Sequence, residues 1–297
     1  MTLPSFLIIG AMKSGTTTLY SDLATHPGIS VPDRKEPGNL NHDEVLTPEG
    51  RAAYERNFRR CASGQIAFEA STYYSMLPEH SGSAGRAHEL LGSDLRVIYI
   101  VREPVARIRS HHQHMFDGGG AVDPDINKAV KQIPELIEYT LYRQQLEPWL
   151  ERFSEDRIMV LHFESYMGDR RNMAAAVQRF LGLSPRPDLV RSESSANVSK
   201  GKLLNTGLSR SITSSALYRK MIRPYLPVSI RTGLKASVMK KSTTSLEPPS
   251  LGTVQYILDR TAKDVAAIAP LLHPAFPEGA MPWDPDELLS RASRGEW

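Results

Sequence analysis

The chain is poor in the features that mark secreted and membrane proteins. Its 297 residues include a single cysteine, Cys61, so an internal disulfide framework is excluded and a reducing compartment fits. Nowhere do about 20 apolar residues follow one another, so no membrane-spanning helix is predicted. The apolar stretch at the N-terminus stops at Ala11 and has no basic flank, unlike a signal peptide. These absences predict a cytoplasmic protein.

Acidic residues are missing from one long stretch of the chain. Between Ser194 and Leu246 there is no Asp or Glu, whereas the same stretch holds ten Lys or Arg residues. The rest of the chain carries 26 basic and 33 acidic residues, so its formal net charge is −7. Such a basic block favours an anionic neighbour, and a solvated basic face is the alternative.

Three short apolar runs predict buried parallel strands, because strands that are covered on both faces are apolar throughout. The runs are residues 5–10, 95–101 and 157–163. A shorter strand is expected at 66–69. Helices are expected at 16–25, 105–116, 170–181 and 250–272, and the tail around Trp283 should pack back on the domain.

The alternation of strands and helices predicts an α/β fold in which a central parallel sheet is flanked by helices on both faces. We treat residues 1–297 as a single domain, with about 194–246 as an inserted basic segment. Ligands of such sheets bind beyond the carboxyl ends of the strands. The turns near residues 11–18, 102–110 and 164–168 should therefore gather at one edge.

The turn after the first strand carries the strongest chemical signal. A glycine-bearing turn at a helix N-terminus presents free N–H groups and a partial positive charge to an anion. Lys13 adds a full charge, and hydroxyl or backbone donors come from Ser14, Gly15, Thr16, Thr17 and Thr18. The spacing differs from the loop that binds nucleoside triphosphates, in which the lysine follows the second glycine. A plain turn rich in small residues is the alternative.

The second strand ends in arginine, where kinases and nucleoside triphosphatases place a magnesium-binding aspartate. A guanidinium group suits a phosphate monoester, so Arg102 and the later Ser110 predict a second anion site without metal. A carboxylate partner for Arg102, either Glu103 or Glu164, is the alternative. Two anion sites on neighbouring turns fit a nucleotide with phosphate at both ends of its ribose.

These motifs together resemble the PAPS-dependent sulfotransferases, which use 3′-phosphoadenosine 5′-phosphosulfate (PAPS) as sulfuryl donor. Lys13-Ser-Gly-Thr-Thr-Thr18 resembles their 5′-phosphosulfate loop, and the segment from Val101 to Ser110 resembles their 3′-phosphate motif. Segment 162–166 is similar to the family's segment after a core strand, and segment 35–37 is similar to a motif of the bacterial and Golgi carbohydrate-type members. The resemblance covers about residues 3–202 and implies a P-loop-like three-layer fold.

The resemblance also implies roles for individual residues. Lys13 would contact the bridging oxygen and the leaving phosphate, and Ser14 to Thr18 would hold the 5′-phosphate. Arg102 and Ser110 would hold the 3′-phosphate. A loop containing Lys200, Gly201 and Lys202 would close over the nucleotide, and the basic segment would form a lid or an insertion on the acceptor side. No metal is expected.

The base that takes the acceptor proton has several candidates. Glu36 is similar in position to the catalytic glutamate of the heparan-type enzymes, and Pro37 biases it toward an extended turn. His42 and His111 compete with it, because histidine titrates near neutral pH. The nearby His112 and His114 raise the question of zinc, but their spacing presents only two of the three histidines to a common face.

The acceptor is less defined by the sequence. Gly38-Asn39-Leu40 stands where many carbohydrate-type members have paired aromatics, and Glu69-Ala70-Ser71 lacks a lysine that heparan enzymes usually carry. We expect a hydroxyl- or amine-bearing carbohydrate, lipid or small metabolite. A small-molecule kinase and a basic module at a membrane surface are the rival hypotheses. The basic segment also suggests peripheral membrane contact in an enzyme, and nothing suggests a nucleic-acid partner.

Overall fold

The computed structural model describes residues 2–119, 122–191, 246–274 and 281–297. Within them, six strands form one sheet in the order β2-β3-β1-β4-β5-β6, and every neighbouring pair is parallel. The strands are β1 Phe6–Gly10, β2 Ile29–Ser30, β3 Ile66–Ala70, β4 Arg96–Val101, β5 Ile158–His162 and β6 Leu272–His273.

Helices connect the strands and cover both faces of the sheet. They are α1 Thr16–Leu23, α2 Pro48–Glu55, α3 Ser83–Leu91, α4 Pro104–Asp117, α5 Ile126–Gln132, α6 Glu135–Glu138, α7 Tyr142–Leu150, α8 Phe163–Gly168, α9 Arg170–Phe180, α10 Leu251–Ile268 and α11 Pro285–Ser293. Two short 3₁₀ turns, Asn39–Asn41 and Thr72–Ser75, also matter for the site.

The strands bury side chains on both faces, so the sheet has a hydrophobic core above and below it. Along β1, Leu7 and Ile9 belong to one core, while Phe6 and Ile8 belong to the other. The first core includes residues of α3, α4, α7 and α10, and the second includes residues of α1 and α9. This is the three-layer α/β architecture that the alternating pattern predicts, and the prediction of a P-loop-like fold is confirmed.

Several predicted boundaries are off by one or more residues, and two of these differences have a clear local reason. β5 ends at His162, and not at Phe163, because the His162 side chain accepts a hydrogen bond from the Ser165 N–H and caps α8. The helix predicted over 250–272 ends at Ile268, because Pro270 cannot supply an N–H to continue it. The tail packs back as expected, and Trp283 is buried.

Several predictions concern residues outside the described part of the chain. Lys200, Gly201, Lys202 and nearly all of the basic segment belong to this group. In the ranges that the structure covers, no helix combines the length and the apolar character that crossing a membrane requires. The cytoplasmic location and the peripheral membrane contact stay predictions.

Candidate functional site

The turn between β1 and α1 is anchored to the neighbouring strand. The Ala11 N–H donates to the Ile100 carbonyl at 2.7 Å, and the Ser14 N–H donates back to Ala11 at 3.1 Å. Gly15 then starts α1 with a φ of +92°, which favours glycine. A Cβ there would lie 2.6 Å from the ring of Phe163, so the tight packing also requires glycine.

This turn leaves polar groups available to an anion. Among the described residues, no side chain caps the N-terminus of α1, so its first N–H groups and its dipole remain open. The Ser14 hydroxyl is fully buried and has no hydrogen-bond partner there. A buried polar atom without a partner is costly, and an anion in the turn would satisfy it.

Arg102 joins this turn to the end of β4. Its Nη1 donates to the Lys13 carbonyl at 3.2 Å, and its guanidinium lies 4.8 Å from the centre of the Phe163 ring. Its own carbonyl accepts from the Tyr142 hydroxyl at 2.6 Å, which fixes the backbone. Its Nε is buried without a hydrogen-bond partner in the described part of the chain. Arg102 therefore keeps donor capacity for a ligand.

The two carboxylates that compete for Arg102 are engaged elsewhere. Glu103 accepts from the N–H groups of Val105 and Ala106 and so caps α4, and burial raises its pKa to about 7. Glu164 accepts from the Glu103 N–H at 3.0 Å and from the Trp283 indole at 3.0 Å. No ion pair joins either of them to Arg102 within the residues described. Ser110 lies two turns further along α4 and is half-buried.

The segment around Glu36 lies against the same turn. The Lys35 ammonium donates to the Thr17 hydroxyl at 2.8 Å and lies 5.7 Å from the centre of the Tyr20 ring. Glu36 is half-buried and has a φ of +52°, so the extended geometry predicted from Pro37 is wrong. The proline disfavours right-handed helical geometry, but it leaves the left-handed region to be set by tertiary contacts.

Two residues that the sequence predicts to be catalytic have strained backbone conformations. In the described ranges, the non-glycine residues with positive φ are Lys13 at +69° and Glu36 at +52°. Such conformations cost roughly 1–3 kcal/mol each, and they persist where surrounding contacts hold them, often at functional sites. The strain supports a role for Lys13 and Glu36, which stays a prediction.

The histidine candidates have different surroundings. His111 is buried, lies nearly parallel to the Tyr139 ring and is 3.5 Å from Nη2 of Arg107. Burial, followed by the charges of Arg107, His114 and Lys13, lowers its pKa to about 2, so it is a weak base at neutral pH. His42 is exposed.

The neighbouring histidine on α4 is engaged with backbone. The His112 ring is 2.7 Å from the Asp123 carbonyl, while His111 stacks on Tyr139 instead. No cluster suited to a metal is found among the described residues.

A buried cluster that sequence reasoning missed lies behind Glu36. Glu69 on β3 is fully buried and accepts hydrogen bonds from the hydroxyls of Tyr54, Ser71 and Tyr74. Burial raises its pKa, and these hydrogen bonds oppose that rise. The available signal was a carboxylate inside an apolar strand, which is rare without partners. Phe163, which supports both Gly15 and Arg102, was missed as well.

Comparison with known proteins identifies the family of this chain. A family model described as "Sulfotransferase domain" matches residues 3–225. Heparan sulfate glucosamine 3-O-sulfotransferase 3B1 of Mus musculus is 28% identical over 193 residues, which are 61% of this chain and 46% of that protein. Bifunctional heparan sulfate N-deacetylase/N-sulfotransferase 4 of Mus musculus is 26% identical over 208 residues, or 62% and 23%. The chain thus spans less than half the length of these two relatives.

Solved structures show the same fold. The crystal structure of a sulfotransferase from Alicyclobacillus acidocaldarius superposes with a TM-score of 0.56 at 24% sequence identity. The match covers 66% of this chain and 88% of that one. At this identity the likeness concerns the fold and not the substrate.

Proposed function

This chain belongs to the sulfotransferase domain family, and we propose that it moves a sulfuryl group from PAPS to a hydroxyl of a carbohydrate. The observation that carries the proposal is the contact of Arg102 with Lys13, which brings two anion-binding turns together. The two turns contain the buried Ser14 hydroxyl and the buried Arg102 Nε, and neither has a hydrogen-bond partner among the described residues. A donor with phosphate at both ends of its ribose fits this pair of turns.

The donor is held by the two turns in different ways. The N-terminus of α1, with Ser14 to Thr18, binds the 5′-phosphosulfate through backbone N–H groups and hydroxyls. Arg102 binds the 3′-phosphate through a fork of donors, and Ser110 adds a hydroxyl from α4. The resemblance of both motifs to those of the family supports these roles.

Lys13 stabilises the charge that develops during transfer. The acceptor oxygen attacks sulfur while the bond from sulfur to the 5′-phosphate oxygen breaks, and the negative charge moves to that phosphate. An ammonium group placed at this oxygen lowers the barrier without a metal ion. The resemblance of its segment to the family's 5′-phosphosulfate loop supports this role.

Glu36 is the proposed base for the acceptor hydroxyl. Its segment is tied to the donor-binding turn through the hydrogen bond from Lys35 to Thr17. A carboxylate there takes the proton as the new bond to sulfur forms. His111 is the weaker candidate, because burial and neighbouring positive charges favour its neutral form.

Two observations support a carbohydrate acceptor. The matched relatives are named for O- and N-sulfation of heparan sulfate, which makes an amine the second choice of acceptor group. The exposed Tyr73 ring lies beside Gly38, close to Glu36, and an exposed aromatic face suits a sugar ring. Tyr73 offers an aromatic surface although the segment after Pro37 has none.

The test starts with the donor, because the acceptor is to be found by screening. Thermal unfolding is measured with 3′-phosphoadenosine 5′-phosphate (PAP), with adenosine 5′-phosphate and with ATP plus Mg²⁺. We expect PAP alone to raise the melting temperature clearly, in EDTA as well. Sulfuryl transfer from labelled PAPS is then screened on desulfated heparan, neutral glycans, glycolipids and small alcohols. Stabilisation by ATP with Mg²⁺ but not by PAP would favour the kinase hypothesis.

A further inference from the structure

Glu69 is the centre of a buried hydrogen-bond cluster next to the proposed site. Its side chain is fully buried, and its two carboxylate oxygens divide three hydroxyl donors between them. Oε2 accepts from Tyr54 at 2.5 Å, while Oε1 accepts from Ser71 at 2.8 Å and from Tyr74. A carboxylate that is buried in this way needs all of these partners, so it fixes where each hydroxyl points its hydrogen.

Two of the three hydroxyls also accept hydrogen bonds from backbone N–H groups that lie just after Glu36. With its hydrogen directed at Glu69, the Ser71 hydroxyl offers a lone pair that accepts from the Gly38 N–H at 3.2 Å. The Tyr74 hydroxyl accepts from the Leu40 N–H at 3.2 Å in the same manner. The Tyr54 hydroxyl donates to the same carboxylate, and no hydrogen bond joins it to residues 36–40 in the described part of the chain.

The segment that these hydroxyls hold is strained and needs support. Glu36 has a φ of +52° and Gly38 a φ of +69°, so two left-handed residues flank Pro37. Such a turn persists only where neighbouring contacts outweigh the cost of its geometry. The hydrogen bonds to Gly38 and Leu40 come from within the core, since both relay hydroxyls belong to buried residues.

We propose that Glu69 is a positioning residue for Glu36, acting through Ser71 on Gly38 and through Tyr74 on Leu40. The proposal rests on the proposed function, in which Glu36 takes the acceptor proton. It assigns the buried carboxylate no contact with substrate. A base that is displaced by even 1 Å loses much of its effect, so loss of either relay lowers turnover and leaves donor binding unchanged.

The chain offers a matched set of variants for the test. Ser71→Ala and Tyr74→Phe each remove one relay, and Tyr54→Phe removes a hydroxyl from the same carboxylate without touching the turn. The first measurement is amide hydrogen exchange at Gly38 and Leu40. We expect about tenfold faster exchange at Gly38 in Ser71→Ala and at Leu40 in Tyr74→Phe, and no change at either amide in Tyr54→Phe.

The second measurement is single-turnover transfer from PAPS to an acceptor found by screening, or to water if none is found. We expect Ser71→Ala and Tyr74→Phe to be about tenfold slower with PAP affinity within about threefold, and Tyr54→Phe to be within about twofold of the wild type. If the rate falls in all three variants, Tyr54→Phe included, and the fall follows the loss of stability, the positioning role is overturned.

A double-mutant cycle separates this proposal from the proposed function. If Ser71 acts through Glu36, Ser71→Ala has no further effect on the rate in a Glu36→Gln background. Full additivity of the two losses would contradict the proposal. A normal rate in Glu36→Gln alone would instead refute the base assignment, and the exchange data would still report whether the network holds the turn.

Discussion

The proposed donor-binding turn and the proposed acceptor-side turn are built in contrasting ways. Residues 10–18 form a contiguous loop whose geometry comes from glycine, from the neighbouring strand and from the start of a helix. In the second turn, by contrast, Gly38 and Leu40 are held by hydroxyls from residues more than 30 positions away. The comparison shows that nearby residues shape the first turn, while the second depends on contacts with the buried core.

The largest effect is expected at Lys13, on the donor side. Lys13→Ala should slow turnover by about 100- to 1,000-fold, because one preorganised donor to the developing charge is typically worth that much. Turnover is measured beside thermal unfolding to show that the protein stays folded. Lys13→Gly is the matched control, since glycine accepts the φ of +69° without strain. An active glycine variant would show that backbone geometry, and not the ammonium group, carries the rate.

The acceptor side is tested next, through Glu36. Glu36→Gln should lower the single-turnover rate by about 100-fold and leave PAP affinity within about threefold, as expected for removal of a general base. His42→Ala and His111→Ala are compared under the same conditions and should cost less. If Glu36→Gln transfers the sulfuryl group at the normal rate and one histidine variant is inactive, that histidine is the base.

Replacing Arg102 should have a smaller effect, and this effect should be on the affinity for PAP. Loss of a charge-assisted bidentate contact costs about 2 kcal/mol or more, so Arg102→Ala should bind PAP about 30-fold more weakly. Its affinity for adenosine 5′-phosphate should hardly change, because that nucleotide lacks the 3′-phosphate. Arg109→Ala serves as the control, since the Arg109 guanidinium lies over the Trp297 ring. Wild-type protein that binds both nucleotides equally would break the donor assignment.

The smallest effect concerns the stability of the acceptor-side turn. Glu36→Gly should raise the free energy of unfolding by up to about 1 kcal/mol, because glycine adopts the φ of +52° without strain. Chemical denaturation measures it, with Glu44→Gly on an exposed turn without positive φ as the control. A loss of stability equal to that of the control would show that the turn stores no strain.

The sequence predicted the local structure around Lys13 better than that around Glu36, for a physical reason. Lys13, Ser14 and Gly15 lie within a strand-turn-helix unit. The apolar run of its strand and the small residues of its turn can be read directly from the sequence. The position of Arg102 directly after β4 is equally local. The left-handed geometry of Glu36 could not be predicted, because the chain that follows it is held at Gly38 and Leu40 by Ser71 and Tyr74, which lie more than 30 positions away. The support that Phe163 gives to Arg102 is likewise a contact between distant residues.

The buried tail residue Trp283 has a practical consequence for protein engineering. Its indole donates to Glu164, which in turn accepts from the backbone immediately after Arg102. Its ring also packs against Tyr142, whose hydroxyl holds the Arg102 carbonyl. Trimming the chain before this residue to obtain a shorter expression fragment would therefore remove contacts that support the backbone at Arg102. The C-terminal boundary of any shortened version belongs beyond Trp283.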